Sequence, residues 1–177
     1  MKTKFAILGA GKLGQIVARA WKAGKMPDYE LVGIFSRTAD SVLKLAEEVG
    51  VEGTTEVEQL LSWQPQIVAE AASVEAVRTY AILLLEAGID LATLAIGAFA
   101  DDDFYKQVQK TARQHGRKVY IASGAIGGFD VMRTAGLMSP IEASITSQTG
   151  PQYLRSTPVY REEMADSKTT LTAFEGN

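Results

Sequence analysis

Residues 5–14 read Phe5-Ala6-Ile7-Leu8-Gly9-Ala10-Gly11-Lys12-Leu13-Gly14, an apolar run that stops at a glycine and passes into a Gly-x-Gly-x-x-Gly spacing. Leu13, Ile16, Val17 and Ala20 then recur at helical spacing, which predicts one buried face of a helix that Gly24 ends. A strand that turns into a helix through glycines presents the unpaired N–H groups and partial positive charge of the helix start to an anion. In that setting Gly9 permits the tight turn, Gly11 lets a pyrophosphate approach the backbone, and Gly14 lets the helix pack on the strand. The spacing alone is weak evidence. Its place between a strand and a helix makes it a dinucleotide-binding loop, with Lys12 and Leu13 opening the helix beside the phosphates.

Outward from the loop, strand-like and helix-like segments alternate. Leu31–Phe35, Val51–Thr54, Ile67–Ala72, Leu91–Ile96 and Val119–Ala122 read as further strands. The fourth is apolar almost throughout, as a strand buried on both faces should be. Between them, Ser41 is placed to cap a helix whose buried face is Val42, Leu45, Ala46 and Val49. Val57, Leu60 and Leu61 mark a short helix. Val77, Ala81, Leu84 and Leu85 mark a longer one that Gly88 ends, and Asp102–His115 makes the last. This rhythm predicts an α/β Rossmann domain, a doubly wound parallel sheet, over residues 1–123. After Ser123 the pattern changes. Gly124–Gly128 reads as a hinge, Phe129–Met138 as a helix, and Ile141–Thr149 and Thr169–Phe174 as strands. Residues 124–177 are therefore expected to form an incomplete α+β second domain.

In such a sheet the ligand lies at the C-terminal strand ends, at the switch point between the first and fourth strands. The end of the second strand reports the cofactor. Where an NAD site usually carries an acidic residue, this chain has Ser36-Arg37-Thr38, which suits a 2′-phosphate because guanidinium binds phosphate through charge-assisted, often bidentate bonds. NADP is favoured over NAD. Ala71, Ala72 and Ser73 close the fourth strand with small side chains that leave room for the nicotinamide ribose. Glu70 beside them reads either as a functional carboxylate or as an acceptor for nearby backbone N–H groups, the second being favoured. Asp101-Asp102-Asp103 reads as a helix cap and dipole partners rather than a metal site. His115 reads as a surface group at a helix C-terminus, and Trp21 and Tyr80 as packing residues. No catalytic residue can be named.

The 177 residues have a formal net charge of −3, no cysteine and one histidine. Disulfides, thiolate metal sites and a cysteine nucleophile are excluded, and a metal centre is not expected. No basic stripe favours nucleic acid. No run approaches the ~18 apolar residues of a membrane span, and nothing reads as a signal peptide, so a cytoplasmic protein is expected.

Several segments resemble the L-aspartate dehydrogenase family: Gly9–Gly14, Glu70-Ala71-Ala72-Ser73, Ile96-Gly97-Ala98-Phe99-Ala100-Asp101, Ser123-Gly124-Ala125-Ile126-Gly127-Gly128-Phe129-Asp130 and Phe174-Glu175-Gly176. The resemblance implies NAD(P)-dependent oxidation of L-aspartate to iminoaspartate, which hydrolyses to oxaloacetate and ammonia. It implies an amino-acid substrate, a homodimer, and a cofactor contact at Ala125, and would make residues 124–177 the partial substrate and dimerisation domain. It also places the family's catalytic histidine and a cofactor-contacting asparagine beyond Asn177, and His115 does not match that histidine. Losing general acid–base help of this kind is worth about 10²–10⁴-fold in rate, so impaired turnover is expected of this chain. A dihydrodipicolinate reductase or homoserine dehydrogenase relative is set second, because no His-His-Xaa-Xaa-Lys stretch or catalytic lysine loop is found. A non-catalytic NAD(P)-binding or redox-sensing module is the alternative from another class.

Overall fold

A computed structural model describes residues 1–122, 128–155, 157, 159–167 and 169–176. The chain divides into two compact units, Met1–Gly127 and Gly128–Asn177.

The first unit is built on six parallel strands in the order β3-β2-β1-β4-β5-β6. They are β1 (Thr3–Leu8), β2 (Tyr29–Phe35), β3 (Glu52–Thr54), β4 (Ile67–Glu70), β5 (Asp90–Thr93) and β6 (Val119–Ile121). The connecting helices are α1 (Lys12–Lys22), α2 (Ala39–Val49), α3 (Val57–Ser62), α4 (Val74–Glu86) and α5 (Asp102–Gln114). Side chains of β1 alternate between two cores. Phe5 and Ile7 pack with Ala18 of α1 and with Val42, Leu45, Ala46 and Val49 of α2. Ala6 and Leu8 pack with Leu60 of α3, Val77, Ala81 and Leu84 of α4, and Val108 of α5. Helices thus cover both faces, the doubly wound arrangement expected, and the order reverses between β1 and β4.

Three local expectations are corrected. The buried residues of α1 are Gly14 and Ala18, while Leu13 and Ile16 are 51% and 57% exposed. The cause is steric: a Cβ on Gly14 would lie 1.9 Å from the Gly9 carbonyl oxygen. The helix therefore turns its glycine inward, so Leu13 and Ile16 face out while Val17 of the expected face still packs against the core. In α2 the N-cap is Thr38, so Ser41 lies inside the helix and caps nothing. The fifth strand ends at Thr93, and a 3₁₀ segment, Ile96–Ala100, carries the chain to α5.

In the second unit α6 (Phe129–Met138) forms as expected, followed by 3₁₀ turns at Pro151–Tyr153 and Glu162–Met164. Neither Ile141–Thr149 nor Thr169–Phe174 is a strand, and no strand occurs among the described residues of this unit. Those described residues therefore do not show the strands of the expected α+β arrangement. Alternating side chains make a strand only where a second strand takes up its backbone groups. Ile141, Ile145 and Phe174 are instead exposed. Among the described residues no helix is long and apolar enough to cross a membrane.

Gly14→Ala is expected to destabilise the first unit by about 3 kcal/mol or more, because the obstructing atom is backbone and cannot swing away. Urea unfolding followed by circular dichroism measures this, and a loss under about 0.5 kcal/mol contradicts it.

Candidate dinucleotide-binding cleft

The C-terminal ends of β1, β2 and β4 converge on a cleft of about 200 Å³, lined by Gly9, Ala10 and Gly11, by Ser36, Arg37 and Thr38, and by Ala71, Ala72 and Ser73. Leu8, Phe35, Ala76 and Tyr80 complete its wall. Gly9 has φ +117°, a conformation L side chains rarely adopt, and a Cβ there would lie 2.8 Å from the Ala71 carbonyl oxygen. Its N–H donates to the Phe35 carbonyl at 2.7 Å, and the Ala71 N–H donates to that of Leu8 at 2.9 Å, so the loop leaves the sheet in a fixed direction.

Gly11 is different. It is the N-cap of α1 with φ −74°, open to any residue, and a Cβ built on it meets nothing within 4 Å. No side-chain hydrogen bond caps α1, so its first-turn N–H groups are left for a ligand or water.

Glu70 holds the opposite wall. The residue is 1% exposed. Oε1 accepts from the N–H groups of Ala72 (2.7 Å) and Ser73 (2.9 Å), and Oε2 from Thr93 Oγ1 (2.6 Å) and the Ala95 N–H (3.1 Å). This is the backbone-acceptor role favoured for it from sequence. A buried carboxylate needs such a full set of donors. Ser73 then caps α4, its Oγ accepting from the Ala76 N–H at 3.1 Å.

Of the residues assigned to the cofactor from sequence, Gly9, Gly11, Ser36, Arg37, Ala71, Ala72 and Ser73 are brought together. Lys12, Leu13 and Gly14 do not line the cleft: Lys12 and Leu13 are exposed on α1, and Gly14 is buried beneath the loop. Ala125 lies outside the described residues. Tyr80 is expected from sequence to be a packing residue. Its ring does pack edge-on against Phe35 at 5.1 Å, and it also lines the cleft. The spacing of Ser73, Ala76 and Tyr80 along one face of α4 is the signal that could have found it.

Asp101 caps α5 through Oδ1, which accepts from the N–H groups of Asp103 and Phe104. The bond from Phe104 above all, with the charge of Arg78, holds its carboxyl below the usual range. His115 is exposed at the C-cap of α5. A more open concavity of about 890 Å³ lies at the opposite end of the sheet, lined by Thr3, Tyr29, Gln66, Asp90 and Arg117 among others. It is remote from the glycine loop.

The fold and the glycine cradle define a Rossmann dinucleotide-binding domain. Residues 9–122 match the family described as homoserine dehydrogenase, NAD binding domain, and the chain belongs to that family. Its homologues include L-aspartate dehydrogenases, in agreement with the motif resemblance. That of Methanococcus maripaludis is 29% identical over 86% of this chain and 57% of its own length. That of Methanocaldococcus jannaschii is 28% identical over 98% and 66%. One from Archaeoglobus fulgidus is 49% identical over 45% of this chain and 34% of its own. The chain thus spans roughly three fifths of the first two relatives. The homoserine dehydrogenase kinship, set second from sequence, holds at the level of the nucleotide-binding domain.

Among solved structures, the WlbA dehydrogenase from Bordetella pertussis in complex with NADH and UDP-GlcNAcA superposes with TM-score 0.63 at 15% identity, over 78% of this chain and 42% of its own. Myo-inositol 2-dehydrogenase from Lactobacillus plantarum gives 0.59 at 18% identity, over 69% and 36%. Both share the fold.

Glu70→Gln is expected to lower stability by about 2 kcal/mol. Either oxygen it loses becomes an NH₂ facing a backbone N–H, and an unmatched buried donor costs roughly 1–3 kcal/mol. A denaturation midpoint unchanged from wild type contradicts the clamp.

Proposed function

We propose that this chain binds NADP(H) in preference to NAD(H) in the cleft between β1 and β4, and that it serves the oxidation of L-aspartate. The observation that carries the binding reading is Gly11. The fold explains glycine at positions 9 and 14 by backbone contacts, but at position 11 it leaves open space with ordinary φ. A glycine there keeps clear the room a pyrophosphate needs. The residues present fit the group. Gly9–Gly11 and the start of α1 would receive the phosphates, Ser36 and Arg37 the 2′-substituent of the adenosine ribose, and Ala71–Ser73 the far ribose. Bound there, the nicotinamide supplies a hydride acceptor, so that L-aspartate would leave as iminoaspartate and hydrolyse to oxaloacetate and ammonia.

The substrate rests on the L-aspartate dehydrogenase homologues and the shared motifs. The homodimer implied by the same resemblance is supported by the exposed apolar residues Val131, Leu137 and Met138 on α6.

Two variants and one assay test this reading. Gly11→Val should weaken both cofactors by about tenfold or more with the unfolding midpoint little changed; unaltered affinity overturns the site. Arg37→Ala should weaken NADP⁺ by roughly 10–100-fold, the worth of a charge-assisted hydrogen bond, and leave NAD⁺ nearly unchanged. Equal loss for both contradicts the 2′-phosphate assignment. L-aspartate-dependent reduction of NADP⁺ supports the dehydrogenase. Cofactor binding with no turnover favours the alternative, a non-catalytic NAD(P)-binding or redox-sensing module.

A further inference from the structure

The guanidinium assigned to the 2′-phosphate already has a partner. Arg37 Nη1 lies 3.3 Å from Glu75 Oε2. Glu75 stands in the first turn of α4, between Ser73 and Ala76, both of which line the cleft. The pair therefore runs from the end of β2 to the start of α4, across the side of the cleft where the adenosine ribose would enter.

We propose that Glu75 is a specificity-determining residue that narrows the preference for NADP over NAD, an inference that rests on the cofactor reading above. A 2′-phosphate carries close to two negative charges at neutral pH and needs the donors of Arg37. To reach them it must displace the Glu75 carboxylate or share the guanidinium with it at like-charge distance. A 2′-hydroxyl carries no charge and meets neither obstacle. The two side chains are 65% and 72% exposed, so water screens the pair and the penalty is a factor rather than an exclusion. Two unit charges about 4 Å apart in water change an equilibrium constant roughly fivefold. Arg37 thus draws NADP in while Glu75 keeps NAD competitive.

The test measures dissociation constants of NADP⁺ and NAD⁺ by calorimetry for wild type, Glu75→Gln, Arg37→Ala and the double variant. Glu75→Gln should bind NADP⁺ about 3–10-fold more tightly, with NAD⁺ unchanged within about twofold. The gain should shrink in about 0.5 M salt. In the Arg37→Ala background it should fall below about twofold, because nothing then holds Glu75 at the ribose. Both positions are exposed, so circular dichroism should report an unchanged fold. A wild type that binds neither cofactor overturns the cofactor reading and this proposal together. A wild type that binds both, with an affinity ratio unmoved by Glu75→Gln or a gain that persists without Arg37, overturns the role of Glu75 alone.

Discussion

The approach of α1 to the end of β1 is the constraint on which the rest of the cleft depends. At Gly14 the helix lies so close to the Gly9 carbonyl that no side chain fits between them. That contact sets the height of the helix start, its rotation, and the direction in which its free N–H groups point. Gly9 answers it from the other side with a positive φ that turns the chain at once from strand to loop. Two of the three glycines thus build the cradle, and the third leaves it open.

A second fixed point faces the first. Glu70 ends β4 between Leu8 of β1 and Thr93 of β5 in register, and its buried carboxylate gathers donors from the β4–α4 turn and from the end of β5. Charge-assisted bonds of this kind are shorter and stronger than neutral ones. They hold Ala71, Ala72 and Ser73 as a wall, which a loop of small residues would not do by packing alone. The cleft is therefore held by steric contact on the β1 side and by a buried anion on the β4 side.

Much of this was legible in the sequence because the signals are local. The apolar faces of α2 and α4 are set by periodicity, and those residues are the buried ones. The glycine spacing placed the loop, and the short apolar runs placed the strands to within a few residues. Where reading failed, a non-local contact had overridden a local pattern. The stripe of α1 pointed to Leu13 and Ile16, but the Gly9–Gly14 contact turned them outward. Residues 141–149 alternate, yet among the described residues no partner strand meets them, so the alternation builds no strand. Glu75 meets Arg37 of the cleft only because the start of α4 lies beside the end of β2, and no short-range pattern records that adjacency.

The central claim is that the dinucleotide occupies the cleft at the C-terminal strand ends, although the larger concavity lies at the other end of the sheet. Titration of the ¹⁵N-labelled chain with NADPH, followed by amide chemical shifts, tests it most directly. The account predicts that the shifts concentrate at Gly9, Gly11, Ser36, Arg37 and Ala71–Ser73. Shifts gathered instead at Gln64, Gln66, Asp90 and Arg117, or none at saturating NADPH, would contradict it.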